Sequence, residues 1–80
     1  MTPTWFKREV VVATTEQEKD AVLYAQRVMR CPESGEMDDA TISHLRGFQT
    51  LFGLPATGTI NEATAKQLER IRVYGSTEGM

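Results

Sequence analysis

The sequence predicts a mainly α domain, three short helices preceded by a strand-like N-terminal arm. Three observations carry this. Ser34-Gly35-Glu36-Met37-Asp38-Asp39-Ala40-Thr41, with Leu45 and Phe48 beyond, is echoed 23 positions later by Thr57-Gly58-Thr59-Ile60-Asn61-Glu62-Ala63-Thr64, with Leu68 and Ile71 beyond. Each copy reads as a turn, an Asp or Asn cap, and a helix with apolar residues at helical spacing. A third window, after Thr15, has the same helical periodicity. Before it, Trp5, Phe6, Val10, Val11 and Val12 are aromatic or β-branched, the types enriched in strands. Two units are too few for a solenoid, which needs about three stacked repeats, so a pair of turn-helix units packed on a third helix is expected.

The first helix is predicted to start at Thr14 or Thr15. Thr15 and Glu18 have the spacing of a capping box, in which hydroxyl and carboxylate satisfy each other's backbone donors. Ala21, Val22, Ala25, Val28 and Met29 share one face, acids near the start and Arg27 and Arg30 near the end suit the helix dipole, and Pro32 and Gly35 end the helix. The second helix is expected from Asp39 to Phe52, buried through Leu45, Phe48 and Phe52. Gly53 is suited to a left-handed cap, and Pro55 prevents continuation. Gly47 is the odd residue, since glycine inside a helix costs about 1 kcal/mol against alanine. Close helix-helix packing is the expected reason, with a ligand reaching the backbone as the alternative. The third helix runs from Glu62 to about Arg72 behind Asn61, burying Ala65, Leu68 and Ile71. Residues 1–13 are thus the arm, 14–74 the three-helix domain and 75–80 a loose tail.

Composition limits the function. Eighty residues at 9.0 kDa allow one domain with a modest core. A formal charge of −2 gives no general attraction to nucleic acid or anionic membrane. The apolar run Val10 to Ala13 is far too short to span a bilayer. The N-terminal residues lack the basic-then-apolar pattern of a secretory signal, and a single cysteine fits synthesis in a reducing cytosol. Cytoplasmic synthesis without a signal peptide is therefore expected.

From Val22 to Ile71, about 50 of the 80 residues, the chain resembles the small three-helix peptidoglycan-binding domain found beside the catalytic domains of many cell-wall hydrolases. Ala25-Gln26 with Met29 stands where that family has Leu-Gln and then Leu. Leu45, Phe48-Gln49 and Gly53-Leu54-Pro55 occupy its Ala-Val, Phe-Gln and Gly-Leu-Pro positions. Thr57-Gly58 through Thr64 to Leu68 matches its closing Thr-Gly motif. The family's first loop reads Asp-Gly-x-x-Gly-x-x-Thr, and here its leading Asp and second Gly are replaced by Ser34 and Asp38. His44 stands where the family prefers Ala, and the arm is not explained by the module. The resemblance implies a compact three-helix peptidoglycan-binding-like fold and a wall-binding role, with Gln49, Thr50 and Phe52 at the end of the second helix as candidates for the contact.

Catalysis is hard to build from these residues. His44 is the one histidine and Cys31 the one cysteine, with no third orienting group evident. A catalytic zinc usually needs three protein ligands, which this pair does not supply. Asp38 and Asp39, adjacent at a helix start, serve more simply as cap and dipole partner than as a glycosidase pair. No enzyme, cofactor or metal is expected.

Two binding roles follow. One is a peptidoglycan-binding module, which without an export signal would reach the wall as a bacteriophage virion or lysis component. The other is a phage structural or assembly protein (capsid, connector or tail accessory) whose arm residues Trp5, Phe6, Val10, Val11 and Val12 contact a partner protein by strand addition. The arm could equally fold over its own helices and complete the core. Deleting it is expected to leave the helices folded, since none of the repeat or core positions lies within it. A DNA-binding helix-turn-helix is disfavoured: Lys66, Arg70 and Arg72 of the third helix are interleaved with Glu62 and Glu69, leaving no basic face.

Overall fold

Three helices begin at equal intervals along the chain: α1 (Glu16–Met29), α2 (Asp39–Leu51) and α3 (Glu62–Tyr74). The structure, a computed structural model, describes residues 2–74. The tail expected over residues 75–80 lies outside the described residues. The regular spacing is set by the caps. Thr15, Asp38 and Asn61 each accept, through a side-chain oxygen, the backbone N–H three residues on, from Glu18 at 3.1 Å, Thr41 at 3.0 Å and Thr64 at 2.9 Å. Each bond satisfies one of the donors a helix N-terminus leaves free. At Thr15 the Glu18 side chain returns the bond, completing the predicted capping box.

The 23-residue echo therefore reaches back into α1, which the sequence did not make apparent because no Ser-Gly or Thr-Gly turn precedes Thr15. Val22, Leu45 and Leu68 occupy equivalent places in the three helices, and all are fully buried. Around them Val10, Ala21, Ala25, Ile60 and Ala65 complete the core. α1 packs against both α2 and α3.

Several expected core positions lie further out. Phe48 is only partly buried, at the margin of the core, and Ile71 is half-buried. Phe52 is 37% exposed, and α2 ends at Leu51 with Phe52 as its cap. The helical stripe is narrower than the sequence implied, and the core also takes Ile60, from the loop before α3. Gly47 is also corrected: it is exposed, and a Cβ built there meets nothing within 4 Å, so no packed helix requires it.

The arm forms no strand. Val10 alone makes an antiparallel bridge, with Ile60, and the chain bends at Val11 and Val12. Val10 is 2% exposed and belongs to the core, contrary to the expectation that the arm holds no core position. Trp5 and Phe6 pack against that core as partly buried residues. Trp5 stacks on Tyr24 at 4.4 Å between ring centres and donates its indole N–H to Glu69 at 3.1 Å. Tyr24 donates its hydroxyl to the same carboxylate oxygen. These two bonds hold the Glu69 carboxyl below its ordinary range, while burial and then Glu69 itself push the Tyr24 phenol up. Thr2 donates to Glu62 at 2.7 Å, and the Thr59 hydroxyl donates to Glu9 at 2.6 Å. The arm is thus tied along its length to α1, α3 and the loop between α2 and α3.

Candidate functional site

The loops after α1 and α2 are each closed by a buried glutamine amide. Gln26 donates to Ser34 Oγ at 3.0 Å, Glu36 O at 3.2 Å and Thr41 Oγ1 at 2.7 Å, and its carbonyl accepts the Gly35 N–H at 3.0 Å. Gln49 donates to Thr57 Oγ1 at 3.0 Å, Thr59 O at 2.9 Å and Thr64 Oγ1 at 2.8 Å, and accepts from Gly58 N–H at 3.0 Å. An amide suits this place because it offers donors and an acceptor at once. Both glutamines are fully buried, as are Thr41 and Thr64. Among the described residues no buried side-chain nitrogen or oxygen is left without a partner.

Gln49, a candidate ligand contact from the resemblance and also expected to hold a loop backbone through its amide, does the latter: it sits inside this network with its amide engaged on loop groups. Thr50 is exposed, and Phe52 lies against Phe48 with ring centres 4.8 Å apart. The structure gathers a different set of α2 residues. Ser43, His44, Gly47, Phe48 and Leu51, with Met29 from the end of α1, line a shallow open groove of about 450 Å³. Ser43, Gly47 and Leu51 form one row at i, i+4 and i+8, and His44 and Phe48 form the row beside it. Leu51 is 77% exposed, out of phase with the core. That phase and the unexplained Gly47 were the signals available in the sequence.

Among the described residues no Asp, Glu, Lys or Arg lines this groove. The arginine of α2, Arg46, is turned the other way: its Nε stands 3.1 Å from where a Cβ on Gly58 would be. His44 projects into solvent, with Nδ1 2.8 Å from the Ala40 carbonyl oxygen. Because a carbonyl only accepts, that nitrogen carries the proton and Nε2 is the outward-facing acceptor. Cys31 is buried, its Sγ 3.8 Å from Thr41 Oγ1. The thiol and imidazole that a nucleophilic mechanism would pair thus sit in different surroundings, one packed inside and one solvated. Among the described residues no group of three or more His, Cys, Asp or Glu could hold a metal ion, and no helix is long and apolar enough to cross a membrane.

A second hollow, about 200 Å³, lies between the arm and the start of α1, lined by residues including Trp5, Phe6, Arg8 and Glu18. Arg8 and Glu18 pair across it at 3.4 Å. Of the arm residues expected to meet a partner, Val10 is enclosed, Trp5 and Phe6 are partly buried, and Val11 and Val12 are 59% and 64% exposed.

Three capped helices, glutamine-closed loops and an open α2 face describe a small binding domain. Residues 32–68 match the family model described as putative peptidoglycan binding domain, the family whose motifs the sequence carries. The matched segment contains α2, both glycine turns and most of α3. No curated protein and no solved structure matches the chain.

Proposed function

We propose that this chain is a non-catalytic module that binds peptidoglycan through the open face of α2. The observation that carries the reading is a coincidence of place. Of the groove's lining residues, Ser43, His44, Gly47, Phe48 and Leu51 lie inside the segment that matches the peptidoglycan-binding family, and Met29 lies just before it. An apolar face left in water on so small a domain has a cost that a bound partner removes. Binding of this kind asks for shape and a few polar groups rather than for a nucleophile and base. Within a bacteriophage virion or lysis component, such a module would hold its particle or its partners at the wall. The test is sedimentation of the purified chain with insoluble sacculi. The chain should be retained and should release no soluble fragments, and Leu51→Ser should weaken retention while leaving the circular dichroism unchanged. Failure to sediment with sacculi of several wall chemotypes would overturn the reading.

A second reading, a phage structural or assembly protein, is supported by one observation: Val11 and Val12 are exposed apolar residues beside the Val10–Ile60 bridge. A particle that takes up the full chain but excludes the Val11→Ser, Val12→Ser double variant would favour it, provided sacculus binding is unchanged.

A further inference from the structure

The wall polymer offers two chemistries: a backbone of N-acetylated sugars, and stem peptides that carry free carboxylates and commonly an amine. We propose that the α2 groove takes the sugar backbone, an assignment that rests on the wall-binding function proposed above. Charge is the first argument. A quarter of the chain is Asp, Glu, Lys or Arg, yet among the described residues none of these lines the groove, and Arg46 is turned onto the Gly58 loop. A stem-peptide carboxylate held here would lose water with no cation to replace it, which is unfavourable. A sugar ring carries no such charge, and its C–H face matches the surface that Met29, Phe48 and Leu51 present.

Gly47 is the second argument, and it is independent. It weakens α2 without a packing reason, since a Cβ there would meet nothing within 4 Å. Glycine inside a helix facing open solvent is accounted for when a ligand must approach the backbone closely. Gly47 is flanked along the groove by Ser43 and Leu51, so the missing side chain makes a notch mid-way along a row of contacts. Beside the notch are the Ser43 hydroxyl and His44 Nε2, a donor-acceptor and an acceptor suited to sugar hydroxyls and acetamido N–H groups.

The experiment measures retention on intact insoluble sacculi in the presence of soluble N-acetylchitohexaose, which carries no carboxylate, or of a free stem pentapeptide. N-acetylchitohexaose should compete and shift the Gly47 and His44 amide resonances, and the pentapeptide should do neither. Gly47→Leu fills the notch with a better helix former, so the fold should hold while retention falls by roughly tenfold or more. Gly47→Ala, adding one methyl in open space, should give a smaller loss and serves if the leucine variant aggregates. Retention by intact sacculi that the pentapeptide competes away and N-acetylchitohexaose does not would overturn the sugar assignment and leave the wall reading standing. Absence of retention even on intact sacculi would overturn both. Gly47 shifts that grow with protein concentration alone would also overturn the assignment, by making this face a contact between copies of the chain.

Discussion

Val10 and Ile60 exchange both of their backbone hydrogen bonds, Val10 N–H to Ile60 O at 3.0 Å and Ile60 N–H to Val10 O at 3.1 Å. Side by side in space, they are 50 residues apart in the sequence, and both side chains are in the core. The amides of this pair should exchange slowly with solvent in the free monomer, while those of Val11 and Val12 exchange quickly. Deleting residues 2–13 uncovers Ile60 and removes Val10, and should destabilise the helices by about 2–4 kcal/mol. Hydrogen exchange and urea unfolding of the truncated chain test this. A truncated domain as stable as the full one would show that the arm adds nothing to the core.

Gln49 offers a sharper test of the loop network. Gln49→Leu keeps the volume but leaves the Gly58 N–H and Thr59 carbonyl without their partner, and should cost about 2–5 kcal/mol. Gln49→Glu separates polarity from size. Its carboxylate would still accept from Gly58 but would face the Thr59 carbonyl oxygen, so folding must raise its pKa. The variant should be least stable near neutral pH and recover as pH falls, read by urea midpoints across pH.

Arg30 ends α1 with φ 59°, a left-handed backbone, and is the counterpart of Gly53, which has φ 73° after α2. Each donates its N–H to a carbonyl three residues back, at 3.2 Å in both cases. A side chain in this conformation crowds its own carbonyl by roughly 1–2 kcal/mol. Arg30→Gly removes the crowding and should stabilise the fold by about 0.5–1 kcal/mol after the glycine's greater unfolded freedom is counted. Gly53→Ala should destabilise it by about 0.5–1 kcal/mol, the same crowding less alanine's smaller unfolded freedom. Thermal midpoints of the two variants should move in opposite directions.

Acid should weaken the start of α1 first. Glu18 accepts from the Thr14 N–H at 2.9 Å, the Thr14 hydroxyl at 2.8 Å and the Thr15 N–H at 3.1 Å, with Arg8 nearby. These bonds, the Thr14 N–H foremost, hold its carboxyl down at about 2 from an ordinary 4.5. Since the folded pKa is the lower one, the contribution is fully present above about 4.5 and is lost as pH falls towards 2. Glu18→Gln should be less stable than the parent at pH 6 and converge with it near pH 2. A shallow slope should persist in the variant, because Asp38 is depressed in the same sense by the Thr41 hydroxyl and N–H and by Ser34.

What the sequence made legible was local chemistry. Thr15, Asp38 and Asn61 could be read as caps because the bond each makes reaches only three residues. Leu45 and Leu68 followed from helical periodicity, and Gly53 from the turn it must make. Other residues lie elsewhere than expected. Phe52 was expected inside because it continues the stripe of Leu45 and Phe48, but α2 ends at Leu51 and Phe52 is its partly exposed cap. Val10 looked available to a partner because nothing near it in sequence announces Ile60. Gln49 carried the motif of the site while its neighbours Gly47 and Leu51 form the open surface, a division visible only once α2 is oriented against α1.

The single tryptophan has a practical consequence. Trp5 sits where the arm, α1 and α3 meet, with its ring on Tyr24 and its indole N–H on Glu69. Its emission is therefore an optical gauge of arm release, whereas far-ultraviolet dichroism follows the helices. Coincident melting curves would establish that arm and bundle come apart as one cooperative unit. An earlier fluorescence transition would mean that the bundle outlives the loss of its arm, and stability measured by tryptophan alone would then describe the arm's attachment.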